Sequence, residues 1–144
     1  MNDDKVYQLS YVSTGCDCLK YEDIKEILES SNKNNSEQDI TGILIYCNKH
    51  FFQILEGNRE DILELFEKIS IDRRHDGVIK IQEGYADSRR FTSWNMAFKS
   101  YNKELKPLDN FNTEEFYTYI HQQLEKGRDV SLQILLDFFD LNGW

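Results

Sequence analysis

Gln53 sits where a polar side chain needs a reason. It lies in the run Phe51-Phe52-Gln53-Ile54-Leu55-Glu56-Gly57, whose apolar richness reads as a β-strand. Alternation puts Phe51, Gln53 and Leu55 on one face, and Phe52, Ile54 and Glu56 on the other. A primary amide flanked by Phe and Leu costs roughly 1–3 kcal/mol if it is left unbonded. Either a neighbouring backbone group or a bound ligand must satisfy it. Alternation in Val6–Ser13 likewise puts Tyr11 on one face with Tyr7, Leu9 and Ser13. If Tyr11 and Gln53 share the helix-covered face of a sheet, two helices flank a cleft lined by Ile27 and Ile69. Asn34 and Asn35 then supply amides at one end, and Asp72 and Arg74 lie at the end of the second helix. Flat apolar walls with amides at one rim suit a planar heteroaromatic ring better than a sugar or a peptide. Each residue also has a plainer reading: Tyr11 as a core tyrosine, Asn34 and Asn35 as a helix C-cap, Arg74 as a surface ion pair.

The elements that would position these groups are legible in order. Val6–Ser13 reads as a strand and Thr14–Cys18 as a loop. Leu19–Ser31 has period 3.6, with Tyr21, Ile24, Ile27 and Leu28 as its apolar stripe. Ile43–Cys47 and Phe51–Leu55, joined by Asn48-Lys49-His50, read as a hairpin. Asn58 caps a helix that runs to about Ile71, with Ile62, Leu65, Phe66 and Ile69 facing inward. Asp72-Arg73-Arg74-His75 closes it, and Val78–Asp87 and Phe91–Ser100 follow as strands. The expected fold is α+β: a ferredoxin-like β-α-β-β-α-β-β sheet with two helices on one face. Pro107 marks a boundary. Asn112, Gly127 and Asp129 then punctuate two further helices. Ile43–Cys47 is apolar on both faces, so these C-terminal helices are expected to cover the other side of the sheet. The last helix carries two apolar stripes, one of them left for a second subunit or partner.

At 144 residues this reads as one domain with its own core. A formal charge of −9 argues against nucleic acid or an anionic membrane as the main partner. No apolar run approaches the ~20 residues of a membrane span. The acidic start Met1-Asn2-Asp3-Asp4 lacks an apolar signal segment, which gives a cytoplasmic expectation. Three cysteines suggest reduced thiols rather than a disulfide frame. Scattered histidines at 50, 75 and 121 offer no metal spacing.

Taken together the motifs resemble the BLUF domain, a family of flavin-binding blue-light sensors. They are Tyr11-Val12-Ser13; Asn35 leading to Ile40-Thr41-Gly42; Phe51 to Gly57; Asp72-Arg73-Arg74-His75; and Phe91-x-x-Trp94-x-Met96. A local departure is Ser36-Glu37, where many members have a small residue and then a basic one. The resemblance implies a sensor domain over 1–102 and a two-helix extension over 103–144. It implies a flavin, FAD first and FMN or riboflavin as alternatives, held between the first two helices. Tyr11 would donate an electron and a proton, and Gln53 would lie between Tyr11 and the ring. Asn34 and Asn35 would bond the ring edge. Asp72 and Arg74 would serve its rim, and Ser13, Ile27, Ile69 and His75 would complete the site. Trp94 and Met96 would sit near Gln53 and pass its change onward. Tyrosine suits this role as an oxidisable phenol, and glutamine as an amide with a donor and an acceptor end. The expectation is a photoreceptor rather than an enzyme, self-associating or signalling to an effector protein. A small flavin oxidoreductase and a ligand-free interaction module are the alternatives. The first is weakened by the absence of a Gly-rich dinucleotide fingerprint.

Overall fold

Apolar residues at period two and period 3.6 create strands and helices that each have one face to bury. The computed structural model describes residues 5–16, 19–27, 29, 39–47, 49–91, 97–100 and 112–141. Asn34, Asn35, Trp94, Met96 and Pro107 lie outside those residues. Strands β1 (Val6–Gly15), β2 (Thr41–Cys47), β3 (His50–Gly57), β4 (His75–Ala86) and β5 (Ala97–Ser100) form one sheet in the order β4-β1-β3-β2-β5. β2 and β5 run parallel, and the other neighbours antiparallel. Residues 21–27 form α1 between β1 and β2. Helix α2 (Arg59–Ser70) follows β3, and α3 (Thr113–Glu125) and α4 (Val130–Leu141) follow β5. This is the expected ferredoxin-like α+β order, extended by two helices.

The two faces of the sheet bury different helices. On one, Tyr7, Leu9, Tyr11, Leu44, Phe51, Leu55 and Phe98 pack with Ile24 of α1 and Ile62 of α2. On the other, Ile43, Ile45, Phe52 and Ile54 pack against Phe116, Ile120, Leu132, Leu135 and Leu136 of α3 and α4. Both faces being covered explains why every residue of β2 is buried. Polar caps start the helices. Asn58 Oδ1 accepts from Glu60 N at 2.9 Å, Asn112 Oδ1 from Glu115 N at 3.0 Å, and Asp129 Oδ1 from Leu132 N at 3.1 Å. Among the described residues, no helix is long and apolar enough to cross a membrane.

Several boundaries differ from the sequence expectation. Cys47 pairs with His50, so the hairpin turn holds two residues rather than three, with Lys49 at φ +70°. Short hairpin turns require such positive φ. Thr14 and Gly15 extend β1 because they pair with Asp76 and His75, and this also draws His75 out of the helix end and into β4. Tyr21 is exposed, because α1 begins at that residue and leaves it at the end of the stripe. Ile79 is also exposed: β4 is an edge strand, and the second face's apolar cluster reaches Ile81 but not Ile79. Phe91 lies outside β5 and stacks on Phe116 at 5.9 Å. Cys16 is disulfide-bonded, contrary to the expectation of reduced thiols, whereas Cys47 lies buried in the core.

Gly42 sets how closely β2 and β3 approach. A Cβ built there would stand 1.9 Å from the Ile54 carbonyl oxygen, and φ is +157°. Gly42→Ala should therefore cost about 3 kcal/mol, at the upper end of overpacking penalties, because backbone must move. A denaturant midpoint indistinguishable from the parent would contradict this.

Candidate functional site

The register of β1 on β3 sets Tyr11 directly opposite Gln53. Both side chains point to the α1–α2 side, as period-two alternation requires. Tyr11 Oη donates to Gln53 Oε1 at 2.5 Å, and the two residues are only 3% and 4% exposed. The phenol is therefore the donor and the amide oxygen the acceptor. Burial pushes the Tyr11 phenol well above its ordinary value, and the negative charge of Asp72 adds to the shift. At neutral pH the group is a neutral hydroxyl.

A cavity of about 200 Å³ opens beside this pair, lined by Tyr11, Ile27, Leu44, Phe51, Gln53, Leu65, Lys68, Ile69, Asp72, Arg74 and His75. Its walls are mainly apolar. Its volume falls below the roughly 300–1,000 Å³ of sites that swallow a whole drug-sized ligand.

Asp72 and Arg74 guard the rim as a bidentate pair. Arg74 Nη2 donates to Asp72 Oδ2 at 2.6 Å and Nε to Oδ1 at 3.0 Å, while the Arg74 backbone N–H donates to Oδ1 at 2.9 Å. These bonds hold the Asp72 carboxyl below the usual carboxylate range and push Arg74 up. Nη1 of Arg74 also lies 3.8 Å from Glu26 of α1, so the guanidinium spans from the end of α2 to α1 across the slot mouth.

His75 stands behind Tyr11, with ring centroids 6.4 Å apart and nearly perpendicular planes. Its Nε2 is 2.5 Å from the Ile69 carbonyl oxygen, which can only accept, so Nε2 carries the hydrogen. In the neutral ring Nδ1 is then the acceptor, and Ser13 Oγ donates to it at 2.7 Å. Ser13 thus supports the slot through His75 without lining it.

Of the residues expected at the site, Tyr11, Ile27, Gln53, Ile69, Asp72, Arg74 and His75 come together around one cavity. Asn34, Asn35, Trp94 and Met96 fall outside the described residues. Leu44, Phe51, Leu65 and Lys68 also line the cavity, beyond the residues that the motifs indicate. Leu65, Lys68, Ile69 and Asp72 follow helical spacing, which could have flagged Lys68 despite its charge. Leu44 is the β2 residue opposite Gln53, a register that follows once the turn is known to hold two residues.

Residues 6–97 match the family described as "BLUF: Sensors of blue-light using FAD". The chain is 38% identical over 68 residues to the blue light- and temperature-regulated antirepressor BluF of Escherichia coli strain K12, covering 47% of this chain and 17% of that protein. It is 36% identical over 73 residues to photoactivated adenylate cyclase subunit beta of Euglena gracilis, covering 51% of this chain and 8% of that one. It therefore spans less than a fifth of these curated relatives. Among solved structures, BlrB, described as a BLUF protein in its dark state, is 31% identical with a TM-score of 0.66, covering 84% of this chain and 96% of that one.

The Tyr11 shift has a sign that can be checked. A phenol whose folded pKa is raised stabilises the fold fully below about pH 10, its unfolded value, and that stability is lost as pH climbs above it. Tyr7, Tyr46 and Tyr119 are shifted in the same direction, so Tyr11→Phe should make the alkaline loss of stability shallower without abolishing it. Denaturant midpoints from about pH 8 to about pH 11 measure this. Parallel curves for the two proteins would contradict it.

Proposed function

The chain belongs to the BLUF family, sensors of blue light that use FAD, and from that premise we propose that it is a blue-light photoreceptor signalling through a rearranged amide. The observation that carries the reading is the buried Tyr11–Gln53 hydrogen bond on the floor of the slot between α1 and α2. The residues present fit a flavin ring: flat apolar walls and one buried amide. Ile27, Leu44, Phe51, Leu65 and Ile69 would hold the ring and exclude water. Gln53, Asn34 and Asn35 would bond its polar edge, and Asp72, Arg74 and Lys68 would stand at its rim. Ser13 would fix the orientation of His75 at the back.

A bound flavin supplies a ring that absorbs blue light and takes an electron when excited. Tyr11 is the nearby oxidisable group, and its Oη proton already points at Gln53 Oε1. Loss of an electron makes a phenol strongly acidic, so the proton moves to the amide oxygen as the electron leaves. Return of both restores Tyr11. Rotation or tautomerisation of the amide in the interval replaces its acceptor end by its donor end opposite Tyr11 Oη. In a low-dielectric slot that inversion is energetically consequential. Nothing is turned over. Trp94 and Met96 would carry the change toward β5, and α3 and α4 would present it to a second copy or an effector protein in the cytoplasm. Residues 1–102 are then the sensor. Residues 103–144 are the extension, whose helices α3 and α4 cover the sheet and would form the output contact.

The purified protein should be yellow, red-shift slightly in blue light and recover in the dark. Bleaching by NADH would favour an oxidoreductase, and a colourless protein an interaction module. Gln53→Leu should retain flavin and lose the light-induced shift. A normal shift in that variant would remove Gln53 from the mechanism.

A further inference from the structure

On the face of β3 opposite Gln53 lies a carboxylate with no exposed surface. Glu56 is 0% exposed. Its Oε1 accepts from Thr41 Oγ1 at 2.7 Å and from the Phe91 backbone N–H at 2.6 Å, and its Oε2 accepts from Gln8 Nε2 at 3.1 Å and from the Arg90 backbone N–H at 2.8 Å. Both oxygens only accept, the pattern of an ionised carboxylate. Glu56 thereby ties β1, β2 and β3 to the link after β4, and it satisfies two backbone N–H groups that would otherwise be costly to bury.

Arg90 carries the tie onward. Its carbonyl accepts from Tyr119 Oη of α3. Its Nη1 donates to Gln123 Oε1 near the end of α3 at 3.4 Å, and its Nη2 pairs with Asp129 Oδ2 at 3.4 Å. Asp129 Oδ1 meanwhile caps α4. The backbone amide, carbonyl and guanidinium of one residue therefore bridge β3 to both C-terminal helices. A second polar contact lies beside the other photoactive strand position. Ser131 Oγ donates to Gln82 Oε1 at 2.8 Å, which leaves Ser10 Oγ, next to Tyr11 in sequence, to donate to Ser131 Oγ at 2.6 Å. The first turn of α4 is thus seated by Ser10 of β1 and Gln82 of β4, and through Arg90 by Glu56 of β3.

We propose that Arg90 is the joint between the photoactive strand and the C-terminal helices, with Glu56 fixing its backbone and Asp129 receiving its guanidinium, so that light alters the seating of α4 through it. This rests on the photoreceptor reading above. Glu56 and Arg90 are positioning residues, because neither lines the slot. The apolar packing of Leu132, Leu135 and Leu136 holds α4 on the sheet. The polar joint decides where its first turn sits, since hydrogen bonds fix direction where apolar contact does not.

Asp129→Asn isolates the joint, because asparagine still caps a helix through Oδ1 while the acceptor facing Arg90 becomes an amide NH2 that cannot receive the guanidinium. Arg90→Gln is a second variant that keeps the backbone bonds to Glu56 and Tyr119. The measurement is hydrogen exchange of α4 peptides in the flavin-loaded full chain, dark and illuminated, beside the absorption spectrum. In the parent, illumination should change exchange in the first turns of α4. Both variants should keep the light-induced spectral shift and lose the light-dependent difference in α4 exchange. A retained difference in either variant overturns the joint, and so does a parent whose spectrum shifts while α4 exchange stays the same. A parent with no spectral shift at all overturns the photoreceptor reading, and this inference with it.

Discussion

Everything at the site depends on the hydrogen bond that crosses from β1 to β3 between Tyr11 and Gln53. It exists because these residues are direct partners in an antiparallel ladder. A slip of one residue would send one of the two side chains to the α3–α4 face and dismantle the site outright. The register is therefore what the neighbouring structure has to guard. Gly42 allows β2 to close on Ile54, the two-residue turn fixes β2 against β3, and Glu56 ties three strands together a few residues beyond Gln53.

The sheet has two faces with separate tasks, and β3 serves both. Toward α1 and α2 it presents Phe51, Gln53 and Leu55, an apolar lining with one amide. Toward α3 and α4 it presents Phe52, Ile54 and Glu56, an apolar floor with one carboxylate. In each case a single polar group in an apolar setting supplies direction, because its few hydrogen bonds allow few arrangements. The Asp72–Arg74 clamp does similar work at the slot mouth. There the bidentate geometry fixes the guanidinium between α2 and α1.

Much of this was legible in the residue pattern. Alternation located Tyr11 and Gln53 on one face, and helical period located Ile27 and Ile69 on the walls, because each depends only on local periodicity. The elements that failed were those governed by partners distant in sequence. His75 reads as the end of a charged helix stop, yet its pairing with Gly15 makes it strand. Ile79 alternates with polar neighbours as a strand residue should, yet it is exposed, because β4 is an edge strand and the covering helices do not reach it. For Lys68, only the helical spacing from Leu65 and Asp72 hints that it lines the slot. Alternation puts Glu56 on the face opposite Gln53, but its burial and its four donors come from other strands and the link after β4, which a single strand does not reveal. Cys16 gave no sign of its disulfide.

The central claim is that light inverts the amide of Gln53 against Tyr11. Light-minus-dark infrared difference spectroscopy of flavin-loaded protein carrying 13C at the glutamine side-chain carbonyl addresses it directly. A glutamine amide that changes partners must give a carbonyl difference band that moves with the label and vanishes in Gln53→Leu. A difference spectrum with flavin bands but no label-sensitive carbonyl band would contradict the account.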